Sequence, residues 1–315
     1  PGTRAHQKPM RLLATLRDSP LEVAGHAIEC DGTWPRIARL RDEIWLEAPH
    51  PEPAQLVAAV RSSRLRADLI TFSQTIEDPA PRHAFPCSLE SNAVADVTDF
   101  AAWWDALPQE SRKYIRRSRK AGVVVRSAPF DEALVAGIKR IYDETPVRQG
   151  RRFPHHGKDL ATVRRENGSF LARAHFLGAY LGEALIGFVK LVRVGGSARI
   201  MQILATQAHR EVFPSHALLA AAIELCPRLP VRHLIYGQYV YGRKHGSPMT
   251  EFKRRNGFRD VRVPRYHVAL NWRGRLALHT GFHRRTGDRL PEPMLNLFLR
   301  IRAFALPRQR PDAAP

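Results

Sequence analysis

The chain has 315 residues, with 50 Lys+Arg against 30 Asp+Glu and a formal net charge of +20. A hydrophobic content of 44% suffices to bury a sizeable core, which excludes a wholly disordered basic protein. Codon bias can set the split of 42 Arg to 8 Lys, but the excess of base over acid asks for an anionic partner: nucleic acid, an anionic membrane surface or a phosphorylated small molecule.

Residues 1–20 are polar and basic, read as a flexible N-terminus, with no apolar stretch behind Pro1-Gly2-Thr3-Arg4 to suggest a secretory signal. Residues 36–47 read as an amphipathic helix. Pro49, Pro51 and Pro53 stop it and restart a helix over 54–64. Residues 67–74 read as a buried strand, and Pro79, Pro81 and Pro86 make 78–88 a loop. Asp99 caps a helix over 100–107. A second helix over 111–121 ends at Gly122, followed by a β-branched strand over 123–126. Asp131 caps an amphipathic helix with Leu134, Ile138, Ile141 and Tyr142 on one face, broken at Pro146.

A polar loop follows over 145–158, then a short helix over 159–166 and strands over 175–180 and 185–194, joined as a hairpin. Another strand spans 199–206, and Pro214 precedes an apolar helix over 215–225. A strand is expected over 231–241, whose alternation puts Tyr239 and Tyr241 on one face. A helix over 248–256 closes at Gly257, and the last strand, 261–270, places Pro264 at a bulge or edge. The tail from 272 is basic and partly helical, with a helix over 293–304. No run of about 18 apolar residues is present, so no spanning helix is read. Cys30, Cys87 and Cys226 form no disulfide framework, which points to a reducing cytoplasm. No GxGxxG or GxxxxGK[ST] occurs. Strand runs between single helices indicate an α/β (α+β) fold with a mixed sheet.

That order, over 123–270, resembles the GNAT acyltransferase fold. Glu251-Phe252-Lys253-Arg254-Arg255-Asn256-Gly257-Phe258 before a strand resembles the family's final helix, glycine turn and sheet strand. Trp103-Trp104 and Ser111-Arg112-Lys113-Tyr114-Ile115-Arg116-Arg117-Ser118-Arg119-Lys120-Ala121-Gly122-Val123 resemble the basic helix-to-strand junction of Fem-type peptidyltransferases. Those are two-lobed GNAT relatives that move amino acids from aminoacyl-tRNA onto peptidoglycan precursors. Tyr142-Asp143-Glu144-Thr145-Pro146-Val147-Arg148-Gln149-Gly150 is similar to a loop of GNAT-like bacterial proteins. The resemblance spans 97–271. It implies a mostly antiparallel sheet flanked by helices, a smaller N-terminal lobe at 21–96 and a basic extension at 272–315.

The implied activity is transfer of an acyl group from acyl-CoA, most simply acetyl-CoA, to a small-molecule or peptide amine. The alternative is Fem-type aminoacyl transfer from aminoacyl-tRNA to a cell-wall or peptide acceptor. A third reading is a decayed transferase fold that binds a polyanion or touches an anionic membrane without catalysis. Where GNAT enzymes carry [QR]-x-x-G-x-[GA] for the CoA pyrophosphate, this chain reads Gln207-Ala208-His209-Arg210-Glu211-Val212-Phe213-Pro214-Ser215 without glycine. His209, Arg210 and the helix start at Ser215 are the candidate cofactor contacts there, with Gln202 of the preceding strand.

Acyl transfer needs a base, donors for the carbonyl and an acid for the leaving group. Glu144 is the candidate base or acceptor clamp, or else a solvated helix-end acid. The tyrosine often found before the Gly-Phe turn is Phe252 here, so Tyr239 or Tyr241 becomes the candidate acid. Gln202 faces a cleft or is a satisfied core amide. Tyr142, Arg148, Gln149, His155, His156 and Lys158 are the candidate substrate contacts, with the basic ones suited to an anion or solvated as a charge run. No metal site is read, since no ligand spacing supports one.

Overall fold

A computed structural model of the chain describes residues 21–47, 51–148, 150–241 and 246–283. Gln149, the N-terminus 1–20 and the proposed helix over 293–304 lie outside the described residues. Three antiparallel strands, β1 (Leu21–Val23), β2 (His26–Asp31) and β3 (Ile37–Leu40), lead through α1 (Pro53–Ser62) to β4 (Leu69–Ser73). Then come β5 (Cys87–Asp96), α2 (Phe100–Ala106), α3 (Gln109–Lys120), β6 (Val123–Ser127) and α4 (Glu132–Asp143). A small hairpin of β7 (Val147–Arg148) and β8 (Arg151–Arg152) precedes α5 (Leu160–Asn167). The meander β9 (Ala174–Leu181), β10 (Ala184–Val194) and β11 (Ser197–Ala205) follows, then α6 (Pro214–Leu225) and β12 (His233–Ile235). The described chain ends with α7 (Pro248–Arg255), β13 (Arg259–Ala269) and α8 (Trp272–His279).

All strands except β7 and β8 form one eleven-stranded sheet, ordered β1-β2-β3-β4-β13-β5-β12-β11-β10-β9-β6. Two of its pairings are parallel, β3 with β4 and β11 with β12. Each joins an antiparallel meander to a strand reached through a helix, so the order meander, helix, parallel strand occurs twice. The strand after each unit crosses over: β5 pairs with β12, and β13 pairs with β4.

Local chemistry explains most elements. Asp99, Asp131, Asp159, Ser247 and Asn271 each accept a first-turn backbone N–H, capping α2, α4, α5, α7 and α8. Gly122 and Gly257, at φ 85° and 81°, make the left-handed exits from α3 and α7. The apolar helix α6 buries Leu218, Leu219, Ala222 and Ile223 against the second meander, while α4 and α5 cover the other face of that meander.

Four expectations need correction. Residues 36–47 are not a helix. Ala38 and Leu40 are buried and Arg39 exposed, a period of two, and this edge of the chain becomes β3 beside β4, followed by a short 3-10 turn at Glu43–Trp45. The loop over 78–88 ends early, because β5 begins at Cys87. The strand over 231–241 is only β12; Gly237 at φ 57° turns the chain after Ile235, so Tyr239 and Tyr241 share no strand face. Pro264 lies in an interior strand with no break in its pairing to β5. Its carbonyl accepts from Gln74 N at 3.0 Å, just past the last β4 pair at Ser73–Arg265, so its missing N–H faces the end of that ladder.

Candidate active site at the splay of two parallel strands

Strands β11 and β12 pair only at Ser197–His233, Ala198–Leu234 and Arg199–Ile235. Beyond this, β11 continues to Ala205, while the partner chain turns at Gly237 and stays with β5. Tyr236 N donates to Ala93 O at 2.8 Å, and Ala93 N to Gly237 O at 2.9 Å. No further pair joins the two strands beyond Arg199–Ile235, so they splay from there. The segment that follows β12 carries Tyr236, Tyr239 and Tyr241, all with hydroxyl pKa values raised by burial, so they are donors at neutral pH. Tyr241 keeps 47% of its surface exposed.

Lys253 stands out here. Helix α7 carries it on its inner face, and it is fully buried. Its Nζ donates to Gln238 O at 2.5 Å and lies 4.6 Å and 4.7 Å from the ring centres of Tyr236 and Tyr241. Burial pushes its pKa down to about 8, so ammonium and free amine coexist near neutral pH. In the sequence Lys253 stands in the Glu251–Phe258 motif beside Arg254 and Arg255. The signal that distinguishes it is its position, three residues after the also buried Thr250 on a helix otherwise lined with exposed bases.

Glu144, just after α4, is already engaged. Its carboxylate accepts from Gln207 N and Ala208 N, both at 2.8 Å, and from Arg148 at 3.0 Å. Arg148 also donates to Ala205 O and Ile141 O, at 2.8 Å and 2.9 Å. With side-chain exposures of 12% and 20%, Arg148 and Glu144 form a partly buried clamp between the end of α4 and the end of β11. In the loop that follows, His209 pairs with Thr206 Oγ1 at 2.9 Å, exposed Arg210 pairs with Glu211, and Pro214 opens α6 with half-buried Ser215 behind it.

The structure brings Tyr142, Gln202, His155 and Lys158 together. Tyr142 donates to Gln202 Oε1 at 2.6 Å and receives from Asn167 Nδ2 at 3.3 Å, and the His155 ring lies 4.6 Å from the Tyr142 ring. Lys158 Nζ contacts His155 Nδ1 at 3.2 Å and Glu166 at 2.6–2.7 Å. The buried Lys190, beside Gln202 in the sheet, donates to Asn167 O and Ser169 O at 2.8 Å and 2.6 Å, and burial lowers it to about 8. His156 is exposed and apart from this network.

At the start of α6, aromatic rings gather under α3. Tyr114 lies 4.6 Å from Phe213 and 5.1 Å from His216, and His216 lies 5.0 Å from Phe252. Arg117 sits 5.1 Å over the Phe213 ring. Burial lowers His216 to about 4, so it is neutral. Among the described residues, no helix is long and apolar enough to cross a membrane, and no group of three or more His, Cys, Asp or Glu is placed to hold a metal ion.

No protein-family model matches the chain, and no curated protein matches its sequence. Solved structures do. The crystal structure of FemX is similar over 81% of this chain and 85% of its own, with a TM-score of 0.55 and 8% identity. The C-terminal domain of a putative lysylphosphatidylglycerol synthetase from Agrobacterium fabrum is similar over 82% of this chain and 85% of its own, with a TM-score of 0.50 and 15% identity. With a mixed, mostly antiparallel sheet flanked by eight helices among the described residues, the chain shares its fold with FemX and with that C-terminal domain.

Proposed function

We propose that this chain is an acyltransferase working at the splay of β11 and β12, and that its donor is an aminoacyl ester on tRNA rather than acyl-CoA. One observation carries the choice of donor. The backbone N–H groups of Gln207 and Ala208, where the GNAT resemblance expects a CoA pyrophosphate, are held by the chain's own Glu144 carboxylate. A pyrophosphate there would have to displace a carboxylate that Arg148 also holds. The exposed bases of α3 supply the complementary support, a track for a phosphate backbone beside the rings at the start of α6.

In such a transfer the acceptor nitrogen attacks the ester carbonyl. A C–N bond forms, the C–O bond to the ribose breaks, and the proton lost by the amine passes to the ribose oxygen. Lys253, with a pKa near 8, has the right acidity to stabilise the oxyanion or protonate that oxygen at neutral pH. Tyr241, exposed beside it, is the second donor, with Tyr239 behind. Glu144 holds the loop in place in this reading.

Acyl-CoA stays as the second reading, favoured by the same splay and by the α6 N-terminus beside it. Binding measurements separate the two. The tRNA reading expects saturable binding of charged tRNA that weakens steeply between 50 and 200 mM salt (about 10³–10⁵-fold for a footprint of 6–10 phosphates), with no saturable binding of acetyl-CoA. Saturable acetyl-CoA binding with turnover, and no tRNA binding, would overturn it. Glu144→Ala is expected to lower the melting temperature, since the clamp is worth about 1–3 kcal/mol.

A further inference from the structure

The sheet face opposite α6 holds a second polar site. Ala198 and Ile200 of β11 pack under α6, so by strand alternation Arg199 between them points the other way. There it lines, with Ile235, a cavity of about 240 Å³. Its other walls bring Glu43 and Glu47 from the turn after β3, Glu77 from the loop after β4, and Glu90 from β5. In a chain of net charge +20, this cavity gathers four carboxylates.

Most of these charges are balanced. Arg265 bridges Glu43 and Glu90, each at 2.8 Å, and Ser73 N donates to Glu43 at 2.7 Å. Glu47 lies 3.6 Å from Arg193. The Ser197 hydroxyl donates to Glu77 at 2.8 Å. Burial raises the Glu77 carboxyl, but the hydrogen bonds from Ser197, its own backbone and Thr75 outweigh it, so Glu77 stays ionised at neutral pH.

Arg199 differs. Its Nε is buried without a hydrogen-bond partner, and its guanidinium feels only the longer-range fields of Glu77 and Glu43. Burial lowers it to about 10, which leaves it charged at neutral pH. A half-buried cation whose Nε has no partner leaves a donor that an anion can complete. The volume lies below the ~300–1,000 Å³ of drug-sized ligand sites, so the missing group belongs to a small solute. That solute must also suit the carboxylates opposite.

We infer that this cavity binds a zwitterionic α-amino acid, with its carboxylate on Arg199 and its ammonium toward Glu77. Arg199–Ile235 is also the last pair between β11 and β12, so the site lies where that pairing ends, on the face away from α6. The inference deepens the transferase reading and rests on it in one respect: the bound amino acid is then the acceptor amine, approaching from the face opposite the donor.

Calorimetric titration of the full chain with single amino acids tests the site without any donor. Expected is saturable binding of a neutral or basic amino acid such as alanine or lysine, and none of propylamine or propionate, which each lack one charge. Arg199→Gln and Glu77→Gln should each weaken binding about tenfold or more. The inference is overturned if no standard amino acid binds saturably, if propylamine or propionate binds as well, or if both variants bind like the parent. The analogue series uses the unaltered chain, so it stands even where a variant fails to fold. Intact amino-acid binding with failed transfer counts against the transferase reading alone; transfer without amino-acid binding counts against the cavity alone.

Discussion

Lys253 is the side chain on which the proposed transfer rests most directly. An ammonium buried against two tyrosine rings loses hydration, and the aromatic faces and Gln238 O return only part of it. Lys253→Met is therefore expected to remove about 100-fold or more of transfer activity in a steady-state assay, while the melting temperature holds or rises. The pH dependence has a definite sign. Lys253 and Lys190 both fall to about 8 from 10.5, so between those values the unfolded chain binds more protons. Stability should then climb as pH rises from 8 toward 10, and urea unfolding of Lys253→Met should show a shallower climb. A climb unchanged in the variant would mean that Lys253 is not depressed. From sequence, Lys253 was hidden among charged neighbours. Glu144 was legible as a residue of interest, but its partners, Gln207 and Ala208, lie more than 60 positions away and come together only through the sheet.

At the scale of elements, legibility followed the number of faces each one buries. The capped helix α4 is legible from its spacing and its Asp131 cap, α6 from its apolar run behind Pro214, and the strands of the second meander from their apolar runs. The elements missed are those with mixed surroundings. Strand β5 begins with alternating polar residues because Glu90 and Asn92 face the acidic cavity rather than a core. Residues 36–47 set Ile37, Leu40 and Ile44 at helical spacing, which hides the four-residue period of two in β3. Helix α3 was read well, because its charge is its structure: Ser111, Ile115 and Ser118 form a thin buried stripe and the bases point outward. Arg116, Arg117 and Arg119 are exposed, so the triple change Arg116→Gln, Arg117→Gln, Arg119→Gln should leave the melting temperature within a few degrees. It should also flatten the log–log salt slope of tRNA affinity by about 2–3. An unchanged slope in filter binding would remove α3 from the phosphate track.

At the scale of the whole molecule, the two repeated units exchange their closing strands. Strand β5, from the N-terminal part of the chain, lies between β12 and β13, and β13 in turn closes onto β4. A break in sequence between 96 and 97 therefore does not coincide with a break in the sheet. A fragment of residues 97–283 would lack β5, leaving β12 paired along only three residues to β11 and exposing both edges of β13. Unpaired backbone of that length invites association between chains. The fragment is expected to elute as aggregate in size-exclusion chromatography, with little native-like near-ultraviolet circular dichroism. The full chain, by the same argument, should melt in one calorimetric transition, since neither half can keep its sheet once the other has lost its crossing strand. Two separate transitions, or a soluble, folded 97–283 fragment, would show that the exchanged strands are dispensable and that the second meander with α6 carries its own stability. The same exchange fixes the acidic cavity: its glutamates come from the first unit and β5, its Arg199 from the second, so the inferred amino-acid site exists only when both are folded on one sheet.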